Sequence, residues 1–302
     1  MVMKKCYLLL LIIFVSLSLS ATFNSAESDY RFYNQAAFEE DVRILESELK
    51  MAKSDDEKYE ILWRLSRDQL TITDQVEESL KKDEKIARYT AAEELADKAL
   101  AIKSAPDAYH WKASAIGRIG QANGPMNSLK KAKPMQELIV KVQDDFNADS
   151  SDSWYVLGLL YNQLPKKPLS FGNDAQAISY MRRCLDTQDN VNRSNLTNYL
   201  ELANQLWQRD WSRKKRIKEF EKMAQGYNAE TLPSEKMKYY EGAMADPFYL
   251  KSPLSELSDR KEAIQILEYG LANYEKRSVK LPDDIKKAEI CKDRLSFMKG
   301  EI

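Results

Sequence analysis

Hydrophobic positions along most of this chain recur at the three- and four-residue spacing of an amphipathic α-helix. Phe38, Val42, Leu45 and Leu49 form the first such stripe, and Ser54–Glu57 then has the composition of an N-cap followed by an acidic first turn. Further helical patterns cover an apolar run near residue 60 and residues 86–103, 107–120, 127–146, 152–163, 174–186, 194–225, 260–277 and 284–299. Strand-like alternation does not recur, so the pattern predicts an all-α protein.

Two of these helices form a repeat with close-packing positions. The first carries Trp154, Leu157 and Gly158, and the second carries Ala177 and Met181. Small side chains at Gly158 and Ala177 allow two antiparallel helices to approach closely, with the indole of Trp154 between them. The spacing is typical of the tetratricopeptide repeat, and weaker copies occur at residues 92–99, 109–119, 199–206 and 263–270. We therefore predict a tetratricopeptide-like helical-hairpin solenoid.

The N-terminal segment has the parts of a secretory signal peptide. Lys4 and Lys5 precede an apolar run over residues 7–15, and small residues follow it. The run is short for a helix that must cross about 30 Å of hydrocarbon, which favours cleavage over a retained membrane anchor. We predict a signal peptide at residues 1–20, cleaved between about residues 20 and 26, and export to the periplasm or cell envelope.

The mature chain, residues 27–302, is expected to form a single helical repeat domain whose last part, residues 227–302, is less regular. Pro233, Pro247 and Pro253 interrupt the helical pattern there. An aromatic group lies between them, made of Tyr239, Tyr240, Phe248 and Tyr249. We interpret this segment as a cap over the end of the solenoid, with a partner-binding surface as the alternative.

Charge composition argues against a nucleic-acid partner. The 46 basic and 47 acidic residues nearly cancel, which leaves no field to attract a polyanion. The scarcity of glycine and proline, nine of each, favours helices. The basic run Arg213–Arg216 is balanced by Glu219 and Glu221 and is interpreted as a solvated face, although it could also bind an acidic partner or lipid head groups.

Candidate catalytic groups are scarce. His110 is the only histidine and lies beside Trp111 on a predicted core-facing helix, so we interpret it as hydrogen-bonded between helices. Histidine and cysteine are too few for a zinc site, and no glycine-rich phosphate loop is present. We predict no catalysis, no metal and no cofactor. Cys184 and Cys291 are interpreted as buried thiols, with a disulfide between them left open.

A longer connection interrupts the best repeat, between residues 163 and 174. Pro165 ends one helix, Pro168 stiffens the turn, and Gly172 permits an unusual backbone conformation before the next helix begins. Leu169 and Phe171 either pack over the repeat or are exposed to a ligand.

Three segments together resemble the regulator of microtubule dynamics family. They are the run Tyr59–Arg67, which reads Y-E-I-L-W-R-L-S-R, the alanine-rich helix after it, and Tyr109–Ala113, which reads Y-H-W-K-A. The resemblance covers about residues 55–210 and implies a tetratricopeptide-like fold with a scaffolding or binding role. The repeat at Trp154 is also similar to bacterial exported tetratricopeptide proteins, including the T component of some transporters. The export signal departs from the family, and an exported protein does not meet microtubules.

That resemblance implies that the first helix of each pair lines a concave face. Offsets from the repeat tryptophans and from Tyr199 then predict the side chains that point into the groove. With the two loop residues, the predicted partner-binding set is Arg64, Lys112, Tyr155, Asn162, Gln163, Trp207, Gln208, Leu169 and Phe171. The alternative is a solvated inner wall without a specific ligand.

The sequence therefore predicts an exported helical-repeat scaffold that binds a protein or peptide partner without catalysis. The alternative is an accessory subunit of a membrane transport system that binds a small anionic or amphipathic ligand. A membrane association is expected only through an uncleaved signal or a membrane partner. An enzyme is the third and least favoured class, because catalytic residues are scarce.

Overall fold

In a computed structural model, which describes residues 23–188 and 195–301, the regular structure is helical. The described ranges contain thirteen α-helices: α1 (Ser25–Tyr30), α2 (Phe38–Met51), α3 (Asp55–Val76), α4 (Lys82–Ile102), α5 (Pro106–Asn123), α6 (Pro125–Asp144), α7 (Ser151–Gln163), α8 (Asp174–Thr187), α9 (Leu196–Arg209), α10 (Arg213–Ala229), α11 (Pro233–Met237), α12 (Asp259–Lys276) and α13 (Pro282–Gly300). These ranges hold no β-strand, only an isolated bridge between Lys166 and Gly172. The predicted all-α solenoid is confirmed. The predicted signal peptide lies outside the described residues.

The helices stack in chain order. Neighbours pack on each other from α2 to α9, as expected for a solenoid in which each element contacts its neighbours. Helix α9 then packs on α12, and α12 on α13. The intervening segment lies on α8 and α10 through the 3-10 helix Tyr240–Ala243. Within the described part of the chain, no helix has the length and hydrophobicity needed to cross a membrane.

Capping side chains explain where several helices begin and end. Ser54 Oγ accepts a hydrogen bond from Glu57 N, and the Glu57 carboxylate accepts one from Ser54 N, so α3 begins where the sequence predicted. The single helix predicted over residues 194–225 is wrong. Asp210 adopts a left-handed conformation (φ 50°) and Ser212 caps a new helix, which separates α9 from α10.

Small residues bring paired helices together as predicted. A Cβ atom added at Gly158 on α7 would lie 2.6 Å from Met181 Sδ on α8, closer than such atoms approach in proteins. Gly270 on α12 is similarly close to the ring of Tyr199 on α9. The indole of Trp154 is fully buried beside the first of these contacts and stacks on Tyr180, with ring centroids 5.8 Å apart. The close packing of α7 on α8 therefore requires glycine at position 158, and that of α9 on α12 requires glycine at position 270.

A buried ion cluster ties the C-terminal elements together. It contains three arginines and three carboxylates, all at most 8% exposed: Arg182, Arg209, Arg216, Glu241, Asp259 and Glu262. Arg182 binds Glu262 at 2.5 Å and Glu241 at 2.8 Å, although its partners lie 80 and 59 residues away in sequence. The arginines around them hold the pKa values of Glu241 and Glu262 below their usual range. The positive and negative charges balance, as burial requires.

A second ion cluster lies at the N-terminal end, between α1, α2 and α3. Its members are Asp29, Arg31, Asp41, Glu60, Arg64, Arg67 and Asp68. Arg67 is completely buried and contacts Asp29 and Asp68 at 2.7 Å each. Three arginines face four carboxyl groups here, so the cluster is neutral only if one carboxyl keeps its proton.

The less regular part of the chain is mostly packed. Tyr249 is buried and its hydroxyl lies 3.1 Å from Arg182, whereas Phe248 is 45% exposed. Arg216 belongs to the C-terminal ion cluster, which corrects the interpretation of the whole basic run as solvated. Cys184 and Cys291 are unpaired and buried, as the sequence favoured, and burial raises the pKa of Cys291 to about 11.

Candidate functional site

A cavity of about 270 Å³ lies where α3, α5 and the start of α7 meet. Its lining mixes aromatic rings, two carboxylates, a histidine and small polar groups: Tyr33, Trp63, Pro106, Asp107, His110, Trp111, Val142, Ala148, Ser150, Asp152 and Ser153. In the described residues the lining contains no lysine or arginine. A second depression beside Phe23 and Ile61 measures about 40 Å³, which is room for water molecules only. The larger cavity is therefore the candidate site.

Helix α5 supplies one wall through its first turns. Pro106 begins the helix, and Asp107, His110 and Trp111 follow at spacings of three and four residues, which place them on one face. The indole of Trp111 also packs against two separate groups of core residues contributed by α3, α4 and α5. Core packing therefore fixes the ring that faces the cavity.

The start of α7 supplies another part of the wall. Ser150 is the N-cap residue, and its side chain makes no capping hydrogen bond. His110 Nδ1 lies 3.2 Å from Ser153 Oγ, which joins α5 to α7. Burial lowers the pKa of His110, so its imidazole is neutral at neutral pH. Ser153 is fully buried, so its hydroxyl is not accessible to a substrate as a nucleophile.

Two carboxylates give the mouth of the cavity its charge. Asp107 and Asp152 occupy the first turns of α5 and α7, where acidic residues complement the positive end of the helix dipole. Each dipole carries about half an elementary charge, so a full carboxylate outweighs it. Neighbouring protein atoms shield part of the Asp107 carboxyl from water, which raises its pKa. The negative charge of Glu60 raises it further. These two acidic residues have no lysine or arginine beside them in the described lining, so the charge at the mouth is negative.

The cation that stacks on Trp63 is already paired. The Arg64 guanidinium stacks 4.0 Å from the ring centroid of Trp63 and binds Asp29 at 2.9 Å and Glu60 at 2.6 Å. Its charge is thus compensated outside the cavity. In the described part of the chain no cation is placed over the ring of Trp111.

The predicted groove residues lie elsewhere, and none of the nine lines the cavity. Arg64 is only 5% exposed because of the ion pairs described above. Lys112 is paired with Asp97 at 2.5 Å. Tyr155 is partly buried against the C-terminal core, and burial raises its pKa. Asn162 is half-buried and Gln163 exposed at the end of α7.

The remaining predicted residues separate into packed and exposed side chains. Phe171 packs on Tyr161 with ring centroids 5.1 Å apart, whereas Leu169 is 77% exposed. Trp207 lies under Arg260 at 4.7 Å, and Gln208 beside it is exposed. The structure thus distributes the nine residues over four helices and a loop rather than gathering them around one cavity.

The interpretation of His110 as hydrogen-bonded between helices is confirmed by its contact with Ser153, and Trp111 packs on the core. Sequence reasoning did not recognise that both residues also line a cavity. The spacing of Asp107, His110 and Trp111 was a readable signal, since it places an acid and two rings on one helical face. The sequence does not indicate that Asp152 and Tyr33 line the same cavity, because their positions there depend on how distant helices pack.

The all-α stack with its inter-helix cavity defines a fold class, an all-α helical solenoid. The comparison with family models is more specific. Residues 25–166, somewhat less than half of the chain, match the model described as regulator of microtubule dynamics protein 1-3. The match starts and ends earlier than the predicted residues 55–210, and it includes α1, α2 and every residue that lines the cavity. No curated protein matches the chain. The likenesses to tetratricopeptide proteins and transporter components stay predictions.

Proposed function

We propose that the protein is an exported helical scaffold that binds a protein or peptide partner and performs no chemistry on it. The observation that carries this proposal is the cavity between α3, α5 and α7. It is open at a polar mouth, has rigid aromatic walls, and lies within the residues that match the regulator of microtubule dynamics family. Aromatic residues held rigid by a core are typical anchors of protein interfaces.

The cavity favours this function over its two alternatives. An enzyme needs a reactive group that touches its substrate, and Ser153, the hydroxyl that His110 contacts, is fully buried. A carrier for a small anionic ligand needs a neutral or basic pocket, whereas Asp107 and Asp152 repel an anion. A carrier for an amphipathic ligand needs a mainly apolar pocket, whereas carboxylates, hydroxyls and an imidazole share this lining. We therefore place partner binding ahead of the accessory transport function.

The export component rests on the N-terminal sequence alone. Lys4 and Lys5, the apolar run after them and the small residues that follow have the order of a cleavable signal. We accordingly propose the periplasm or cell envelope as the site of action.

Affinity capture from an extract of the protein's own cells tests the function. The bait is the protein expressed from its full-length sequence and recovered after any signal cleavage. We expect it to enrich one partner, and we expect that partner to bind saturably when both proteins are purified. The variant Tyr155→Ala plus Gln208→Ala tests the predicted groove, and Asp107→Asn plus Asp152→Asn tests the cavity. Absence of any saturable partner would contradict the proposal. The intact mass of the recovered protein tests export, since cleavage between about residues 20 and 26 is expected.

A further inference from the structure

The cavity has a chemical character that selects its ligand. Trp63 and Trp111 both line the cavity, and in the described residues no cation covers the indole of Trp111. An aromatic face attracts a cation through its quadrupole, and Trp does so most strongly among the side chains. Desolvation in a recess between helices strengthens this attraction relative to an exposed ring.

The charges at the mouth act in the same direction. Asp107 and Asp152 lie on the two helix starts that frame the opening. An acidic residue in a first turn is ordinary by itself, because it stabilises its own helix. Two such carboxylates beside one indole, with neutral His110 behind them and Arg64 already compensated, leave a net negative opening.

We propose that this cavity binds the cationic side chain, lysine or arginine, of a partner polypeptide, with the cation on Trp111 between Asp107 and Asp152. The inference rests on the proposed function and specifies the partner's chemistry at this site. A volume of about 270 Å³ is slightly below the range of drug-sized pockets, which suits one long side chain. The aliphatic stem of that side chain packs on the indole while its charged end reaches the carboxylates.

Fluorine NMR of the protein labelled with 5-fluorotryptophan tests the site directly. The chain has five tryptophans, so five resonances are expected: those of Trp63, Trp111, Trp154, Trp207 and Trp211. The probe is N-acetyl-lysine methylamide. We expect it to shift the Trp111 and Trp63 resonances saturably, with a dissociation constant on the order of 1 mM. Trp207 and Trp211, which lie outside the cavity, serve as internal references.

Matched ligands separate charge from shape and from the ligand's source. N-acetyl-glutamine methylamide is neutral and N-acetyl-glutamate methylamide is anionic, and neither is expected to shift the two cavity resonances. Butylammonium carries the cation without a peptide backbone and is expected to bind more weakly than the lysine derivative. Equal or tighter binding of butylammonium would assign the cavity to a free amine and overturn the assignment to a partner's side chain.

A pair of variants with equal charge change tests the carboxylates. Asp107→Asn plus Asp152→Asn is expected to weaken binding of the lysine derivative at least tenfold. Asp55→Asn plus Asp56→Asn removes two first-turn aspartates from α3, both about 80% exposed and outside the cavity, and is expected to leave binding unchanged. Thermal unfolding of both variants establishes that each is folded under the assay conditions.

The outcomes separate this inference from the proposed function. Shifts with the anionic probe, equal weakening by both variants, or no shift of the cavity resonances with any probe would each overturn the cation site. If the protein still captures a partner while the cavity resonances stay fixed, the scaffold function stands and the cavity assignment falls. If the lysine derivative binds but no partner is captured, the cavity chemistry stands and the proposed function falls.

Discussion

At the scale of single residues, Asp68 is unusual because its carboxyl group holds a proton in the folded protein at neutral pH. It is completely buried on α3, and its Oδ2 atom has no hydrogen-bond partner among the described residues. Burial, and then the negative Asp41, raise the pKa of Asp68 to about 8 despite the neighbouring Arg67. A proton on Asp68 also balances the charges of the N-terminal ion cluster.

The raised pKa makes the stability of the protein depend on pH through this one group. Between its ordinary value near 3.8 and about 8, the folded protein holds a proton that the unfolded chain releases. The free energy of unfolding therefore falls as pH rises through that window, by up to about 1.4 kcal/mol per pH unit from this group. We expect Asp68→Asn, which keeps an acceptor for Arg67, to flatten the slope measured by urea unfolding at pH 5, 6, 7 and 8.

A solvated aspartate provides the comparison for that experiment. Asp55→Asn changes the same functional group at an exposed position on the same helix, so it is expected to retain the wild-type slope. If Asp68→Asn also retained the wild-type slope, Asp68 would be ionised in the folded protein, and the inferred charge balance of the cluster would be wrong.

At the scale of helices, the pairing of α7 with α8 depends on Gly158. Its hydrogen atom faces the thioether of Met181, which is fully buried and has little room to move. Gly158→Ala adds one methyl group to this contact, and we expect destabilisation of about 1–3 kcal/mol from overpacking. Circular dichroism during urea unfolding measures the change as a lower midpoint.

The same substitution at an open position isolates the steric effect. Gly300 ends α13 and has no atom within 4 Å of an added Cβ. Alanine there lowers the entropy of the unfolded chain without a clash, so Gly300→Ala is expected to be neutral or slightly stabilising. Equal destabilisation by both substitutions would show that the close approach of α7 and α8 is not what Gly158 provides.

Local patterns also determine which elements the sequence could predict. The Ser54 cap and the hydrophobic stripes that contain Leu45 and Trp154 are each defined by a few neighbouring residues. The sequence therefore predicts α2, α3 and α7. The break between α9 and α10 was missed because Asp210 supplies the left-handed turn more often made by glycine. The short α1 and α11 carry too few residues for a periodic signal.

Long-range juxtapositions explain what the sequence could not predict. Arg182 and Glu262 lie 80 residues apart in sequence, and no local pattern indicates that they meet in the core. The cavity has the same origin, since Asp107 and Asp152 belong to helices that come together only after folding. Seven of the nine residues predicted for a groove were chosen by offsets within individual helices, and Leu169 and Phe171 were chosen from a loop. Neither source contains information about such meetings.

At the scale of the whole molecule, the two ion clusters lie in different parts of the stack. The N-terminal cluster ties α1, α2 and α3 together, and the C-terminal cluster ties α8, α9, α10 and α12 together. Helices α4 to α7 lie between these parts, and Ala113 on α5 and Ile139 on α6 belong to the same buried core as Trp154. Gln136 Nε2 donates to Tyr161 Oη at 2.7 Å, and the Ser234 backbone and hydroxyl donate to Asp144 at 2.7 and 2.6 Å. A stack with nearest-neighbour contacts can lose one part before the other.

Removing one charge from the C-terminal cluster tests whether the stack unfolds in parts. Glu241→Gln leaves Arg182 and Arg209 partly uncompensated in the core, and we expect a loss of about 3–5 kcal/mol of stability. Hydrogen exchange measured by mass spectrometry should show faster exchange in α8, α9 and α12, with wild-type rates in α3, α4 and α5. Glu219→Gln, which alters only an ion pair with Lys222 on the surface of α10, is expected to change neither region. Uniform acceleration along the chain would instead mean that neighbouring contacts couple all the helices into one cooperative unit, and the cavity would then be as stable as the C-terminal core.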